Sequence, residues 1–176
     1  MKAATIFLVA VTVLTLFLEY STARNPPASE LSNTKGDIIE ITESFRQLVY
    51  KAIDGCKDGL ANAQNIVGEE LPKATGDKKV ALTDFNTWLY DYLTIIIDVL
   101  PDQMIAAMDS GLVGDLKQIK ADNAKAIEDT TEYMVGFNKA MPDGEVKDNL
   151  NRAIDGQVLY NANVVGDALD DLLSGL

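Results

Sequence analysis

Residues 83 to 101, TDFNTWLYDYLTIIIDVLP, form the densest apolar stretch of the chain beyond its N-terminal end. On a helix turning by about 100° per residue, the large apolar side chains of this stretch and its flank fall in one broad arc. They are Leu82, Phe85, Trp88, Leu89, Tyr92, Ile96, Val99 and Leu100. Asp84, Asp91 and Asp98 form a heptad column at the edge of that arc. The spacing predicts a helix that is central to the fold.

Tyr90 and Ile97 lie one heptad apart on the opposite side of this predicted helix, among Asn86, Thr87 and Thr94. Packing of the broad arc against the core does not account for them. Because tyrosine often anchors protein interfaces, we predict that this pair contacts a binding partner. Burial of both residues under a further helix or under the N-terminal arm is the alternative.

The N-terminal end has the composition of a secretory signal peptide. The chain starts with Met-Lys, residues 3 to 18 are apolar, and residues 21 to 23 (STA) match a cleavage site. We expect residues 1 to 23 to be removed and the protein to be secreted. An uncleaved anchor is the alternative, although the apolar run is shorter than the roughly 20 residues that span a bilayer.

The remaining chain is expected to contain a flexible arm, residues 24 to 36, and a single helical domain, residues 37 to 176. Its charge limits the classes of partner. The sequence contains 15 Lys and Arg against 27 Asp and Glu, a formal net charge of −12. This charge repels nucleic acid and anionic lipid headgroups and favours a cationic partner or simple solubility. We expect no nucleic-acid partner, no stable membrane insertion, and a monomer or weak dimer.

The sequence has no histidine and a single cysteine, Cys56. These counts exclude Ser-His-Asp and Cys-His catalytic systems and the common zinc and iron–sulfur sites. No glycine-rich phosphate-binding motif occurs either. We therefore expect a protein without catalytic residues, cofactor or metal. Weak calcium binding by Asp143, Glu145 and Asp148 remains an alternative.

Cys56 shares the inner side of the first predicted helix with Ala52 and Leu60. A lone cysteine cannot form an internal disulfide, so packing alone has to hold the fold. We expect Cys56 to be a free, buried and unreactive thiol. An intermolecular disulfide is the alternative.

Prolines at positions 72, 101 and 142 divide the domain into four segments of helical length. The first is predicted over residues 37 to 68, and the fourth from Asp143, as N-cap, to Leu173. The expected fold is all-α, an antiparallel bundle of four long amphipathic helices, or alternatively five.

Glycines leave two details of these segments open. In the first segment, Gly55 and Gly59 indicate either a break or the close approach of another helix. In the third, Ser110 and Gly111 weaken the first turns, so a short separate helix before Leu112 is an alternative to one long helix.

Polar residues interrupt the inner columns of the last two segments. The third segment has Asn123 and Thr130 there, and the fourth has Gln157 and Asn161. In an antiparallel hairpin these positions face one another, with Asn123 close to Asn161. The favoured hypothesis is a hydrogen-bonded layer that sets the helix register. The alternative is a polar patch that orients a ligand in an apolar cavity.

Three functions are compatible with a secreted, acidic, helical domain. The first is non-catalytic binding of an extracellular protein through Tyr90 and Ile97. The second is the carriage of lipids or other amphiphilic small molecules. The third is a salivary, venom or seminal effector that acts on another organism.

Overall fold

The computed structural model describes residues 37–94 and 99–176. The predicted signal peptide and arm, together with Ile97 and Asp98, lie outside these ranges. Within them, every regular element is a helix, apart from one isolated antiparallel bridge between Ile38 and Leu112. The prediction of an all-α chain is therefore confirmed.

Six α-helices follow one another in the described ranges. They are α1 (Glu43–Glu70), α2 (Gly76–Thr94), α3 (Leu100–Ser110), α4 (Val113–Ala140), α5 (Glu145–Ala153) and α6 (Tyr160–Ser174). A 3₁₀ turn, Leu71–Lys73, follows α1. A π-helical segment, Ile154–Leu159, joins α5 to α6 without a break, so these two α-helices and the segment form one continuous rod.

α1 begins at Glu43, later than the predicted Asp37. The hydroxyl oxygen of Thr42 accepts a hydrogen bond from the backbone N–H of Phe45 at 3.3 Å and caps the first turn. Residues ahead of this cap are extended, and the Ile39 N–H donates to the carbonyl of Gly111 at 2.9 Å. The threonine cap therefore sets the start of the helix.

The third predicted segment contains two helices. Pro101 lies in the first turn of α3, where an N–H has no partner within the helix, so the ring costs no hydrogen bond. Gly111 ends α3 in the left-handed region, with φ 62°. A Cβ at Gly111 would also lie 2.6 Å from the carbonyl oxygen of Ile39, so only glycine fits this turn.

The prediction that Asp143 caps the fourth segment is wrong. The N-cap position of α5 belongs to Gly144, and no side chain caps the helix there. Asp143 lies one residue too early, and its carboxylate accepts a hydrogen bond from Lys147 Nζ at 2.8 Å. A carboxylate caps a helix only from the residue directly before its first turn, because only there does it reach the open N–H groups.

Buried side chains form two core clusters along α1, α4 and the α5–α6 rod, with α2 covering the first cluster and α3 the second. The first core cluster includes Leu60, Val67, Leu82, Phe85, Leu89, Phe137, Leu150 and Ile154. The second core cluster includes Val49, Met104, Met108, Leu116, Ile119, Val165 and Leu169. α1, α4 and the α5–α6 rod therefore each contribute one half of their length to the first core cluster and the other half to the second.

α4 and the α5–α6 rod run in opposite directions. Near the turn between them, Lys147 Nζ donates to the carbonyl of Asn138 at 2.7 Å. At the other end, Lys120 forms an ion pair with Asp170. The C-terminal end of α4 thus lies beside the N-terminal end of the rod, and the N-terminal end of α4 lies beside the C-terminal end of the rod.

Candidate functional site

The outer side of α2 carries an exposed apolar strip. Val80 and Tyr90 are 62% and 63% exposed, and they lie with Thr83 and Thr87 within an arc of about 80° on a helical projection. We call these four residues the α2 outer strip. The fully buried side chains of α2 lie on the opposite side of the helix, so α2 is apolar on two faces.

The two threonines of the strip use their hydroxyl hydrogens within the helix. Thr83 Oγ1 donates to the carbonyl of Lys79 at 2.7 Å, and Thr87 Oγ1 donates to the carbonyl of Thr83 at 3.1 Å. A hydroxyl has a single hydrogen to donate. The strip therefore offers a partner its apolar surface and the Tyr90 phenol. Its threonine hydroxyls have no hydrogen left to donate to a partner.

An acidic column borders the strip on one side. Asp77, Asp84 and Asp91 are exposed and follow one another at heptad spacing, about 10.5 Å along the axis. We call these three residues the acidic column. Burial raises the pKa of Tyr133 in α4, and the charge of Asp84 raises it further. Asp84 therefore lies on the side of the strip that is nearer to α4.

Stacked aromatic rings hold α2 against α4 beneath the column. The ring of Trp88 stacks on Tyr133, with centroids 4.2 Å apart and planes at 5°, and on Tyr92 at 5.0 Å and 20°. Aromatic pairs of this kind contribute about 0.5–1.5 kcal/mol each beyond the area that they bury. The strip is therefore carried by a helix with a firmly packed inner side.

Two of the predicted polar residues are buried where the core clusters meet. Asn123 is 7% exposed, and its Nδ2 donates to the carbonyl of Ala162 at 2.9 Å. Thr130 is 1% exposed, and its hydroxyl donates to the Tyr92 hydroxyl at 2.9 Å, which donates to the carbonyl of Ala126 at 2.7 Å. These bonds tie α4 to α6 and to α2, and they satisfy hydrogen-bond donors that burial would otherwise leave unpaired.

The other two predicted polar residues lie elsewhere. Gln157 is exposed, and Asn161 is half-buried with its Nδ2 bonded to the carbonyl of Gln157 in its own helix at 2.7 Å. The π-helical segment explains this placement, since one extra residue in a turn rotates the following positions by about 100°. Val158 and Ala162 face inward instead. In an unbroken α-helix the residues just before them, Gln157 and Asn161, would face inward.

A cavity of about 50 Å³ lies between the two core clusters. Its walls are mostly apolar, with Ile53, Met104 and Ile127 among them, and Asn123 and Thr130 supply the amide and hydroxyl of the lining. Benzene binds in an engineered apolar cavity of about 150 Å³, and drug-sized ligands occupy roughly 300–1,000 Å³. The cavity thus has room for a few methyl groups and none for a whole lipid chain.

Cys56 lies in the wall of the same cavity as a free, half-buried thiol. Its Sγ–H donates to the carbonyl of Val158 at 3.4 Å. Burial raises the pKa of Cys56 from 9.0 to about 11. Because only the thiolate is nucleophilic, this environment suppresses the reactivity of the cysteine.

Cys56 is expected to react with Ellman's reagent at pH 8 about 100 times more slowly in the folded protein than in guanidinium, because far less of the thiol is ionised. Absorbance at 412 nm measures both rates.

From pH 9 to 11 the free energy of unfolding should fall, since the unfolded chain loses the Cys56 thiol proton first. Equal rates in the two states, or a dimer on a non-reducing gel, would show an accessible thiol.

None of the helices in the described part of the chain is sufficiently long and apolar to cross a membrane. In residues 37–94 and 99–176, no three His, Cys, Asp or Glu side chains are grouped so that they could hold a metal ion.

The exposed strip agrees only in part with the predicted interface. Tyr90 belongs to it, and Ile97 lies outside the described residues. The prediction left out Val80 and Thr83, and it placed Thr87 on the same side as Tyr90 without assigning it to the interface. The i, i+3, i+7 spacing of Val80, Thr83 and Thr87, continued by Tyr90 at i+10, is a signal for one side of a helix. Threonines hide this signal because they count as polar.

Comparison of the chain with protein-family models, with curated proteins and with solved structures gives no match.

Proposed function

We propose that this is a secreted helical-bundle protein that binds another extracellular protein, without catalysis, through the α2 outer strip. In this proposal the helices pack as an antiparallel bundle, in line with the opposite directions of α4 and the α5–α6 rod. Ile97, which lies outside the described residues, stays a predicted contact of the partner.

The exposure of Tyr90 is the observation that supports the proposal. Tyr90 is 63% exposed on a helix whose opposite side is fully buried at Phe85 and Leu89. Core packing of α2 is therefore complete without Tyr90. Exposed tyrosines are frequent anchors of protein interfaces.

Photo-crosslinking at position 90 tests the proposal. Tyr160, at the start of α6, is the matched control because it is the same residue type with the same 63% exposure. Benzoylphenylalanine replaces one tyrosine or the other, and each protein is irradiated in extracellular fluid from the producing organism. We expect a discrete heavier product from position 90 that position 160 does not give.

The same crosslinked products from both positions, or no crosslinked product from position 90, would contradict the proposal. A crosslink within the chain, to residues 24 to 36, would instead show that the arm covers the strip. Mass spectrometry of the product separates these outcomes, since it identifies the residues on both sides of the link.

Carriage of an amphiphile is the second candidate, and the cavity between the core clusters supports it. At about 50 Å³ it can take only the tip of an aliphatic chain, so a carrier would have to separate its helices. Separation of α2 from α4 would break the stacking of Trp88 on Tyr133. A shift of tryptophan emission on adding fatty acid would therefore favour this candidate over protein binding.

A further inference from the structure

The α2 outer strip and the acidic column together describe the chemistry of a partner. The strip extends about 15 Å from Val80 to Tyr90, close to the length of three helical turns. Three carboxylates accompany it on one side at about 10.5 Å spacing. A surface of this kind has the two parts of a helix–helix interface, an apolar seam and a charged flank.

We propose that the partner presents a basic amphipathic helix, with apolar side chains on the strip and lysine or arginine at heptad spacing opposite the acidic column. This inference rests on the proposed function and names the partner class for the same site. Side chains seven residues apart on a helix recur at the same spacing as the aspartates. Each basic group can therefore meet one carboxylate while the seam stays in register.

The charge of the surface argues against other occupants. A second copy of this chain packed antiparallel on the strip would bring its own Asp77, Asp84 and Asp91 against the first set, and like charges at an interface are unfavourable. Anionic lipid headgroups are repelled for the same reason. The net charge of −12 further attracts a basic partner over long distances.

Two synthetic three-heptad peptides serve as probes. Both have leucine along one side, and beside it the first has lysine, and the second glutamate, at heptad spacing. Fluorescence anisotropy of the labelled peptides measures their binding to the purified protein. We expect the lysine peptide to bind, more weakly as salt is added, and the glutamate peptide to bind at least about tenfold more weakly.

Charge-reversed variants locate the effect. Asp84→Lys with Asp91→Lys should weaken the lysine peptide by about tenfold or more and favour the glutamate peptide, because attraction becomes repulsion. Asp167→Lys with Asp171→Lys is the control. Both of those aspartates are exposed on α6, and this variant has the same net charge as the first. It should bind the lysine peptide within about twofold of wild type, since the acidic column is intact.

Equal weakening by the two variants would assign the binding to net charge and overturn the inference, as would equal affinity for the two peptides. Such a result, with a specific crosslink at position 90, would leave protein binding standing with a partner of different chemistry. The absence of that crosslink would overturn both. Thermal melting tests whether each variant is folded. We expect both to fold, since all four aspartates are exposed on helix surfaces.

Discussion

Replacement of Phe85 by alanine is expected to lower the free energy of unfolding by about 3–5 kcal/mol. Phe85 is fully buried, and its ring centroid lies 4.7 Å from that of Phe137 in α4 and 5.5 Å from that of Trp88. The truncation removes apolar area and leaves a cavity that the neighbours fill only partly. Urea unfolding followed by circular dichroism measures the change.

Tyr90→Ala is the matched variant on the same helix. Tyr90 is mostly exposed, so we expect the free energy of unfolding to stay within about 0.5 kcal/mol of wild type. A loss comparable to that of Phe85→Ala would mean that Tyr90 is packed in the native protein. The α2 outer strip would then not be a free surface, and the proposed function would fail with it.

Gly59→Ala is expected to destabilise the protein by about 1–3 kcal/mol, by overpacking. A Cβ at this position would lie 2.9 Å from the carbonyl oxygen of Ala153 and 2.8 Å from Cβ of Gln157. The carbonyl belongs to a helix backbone and cannot rotate away. The α5–α6 rod would have to move from α1, which would disturb both core clusters where they meet.

Gly136→Ala separates this contact from the intrinsic preference of helices for alanine. Gly136 lies inside α4, and a Cβ there would meet nothing within 4 Å. The substitution should stabilise the protein, by up to about 1 kcal/mol, because alanine favours the helix. Shifts of the urea midpoint in the same direction for both variants would contradict the close approach at Gly59.

The prediction of which α2 side chains are buried was accurate, because the helical period alone determines which of them share one side. Leu82, Phe85 and Leu89 of the predicted arc are fully buried, and Trp88 and Tyr92 are half-buried at its border. The large apolar side chains leave one side of the helix that can face the core. Their burial could therefore be foreseen without any knowledge of the neighbouring helices.

The candidate site was harder to predict. The exposure of Tyr90 depends on which elements cover α2, and a sequence pattern does not show this. Val80 and the two threonines of the strip gain significance only beside an exposed tyrosine. The acidic column was foreseen at Asp84 and Asp91, because heptad spacing brings those residues to one side of any helix.

By itself, the sequence determined that the described chain is helical and which side of α2 is buried. Tertiary structure alone decided the choice at Gly59, between a break and a close helix contact, because that choice depends on the Ala153 carbonyl. It also decided which polar residues are buried. A single π-helical turn, held in packing contact with α1, directs Val158 inward and leaves Gln157 exposed.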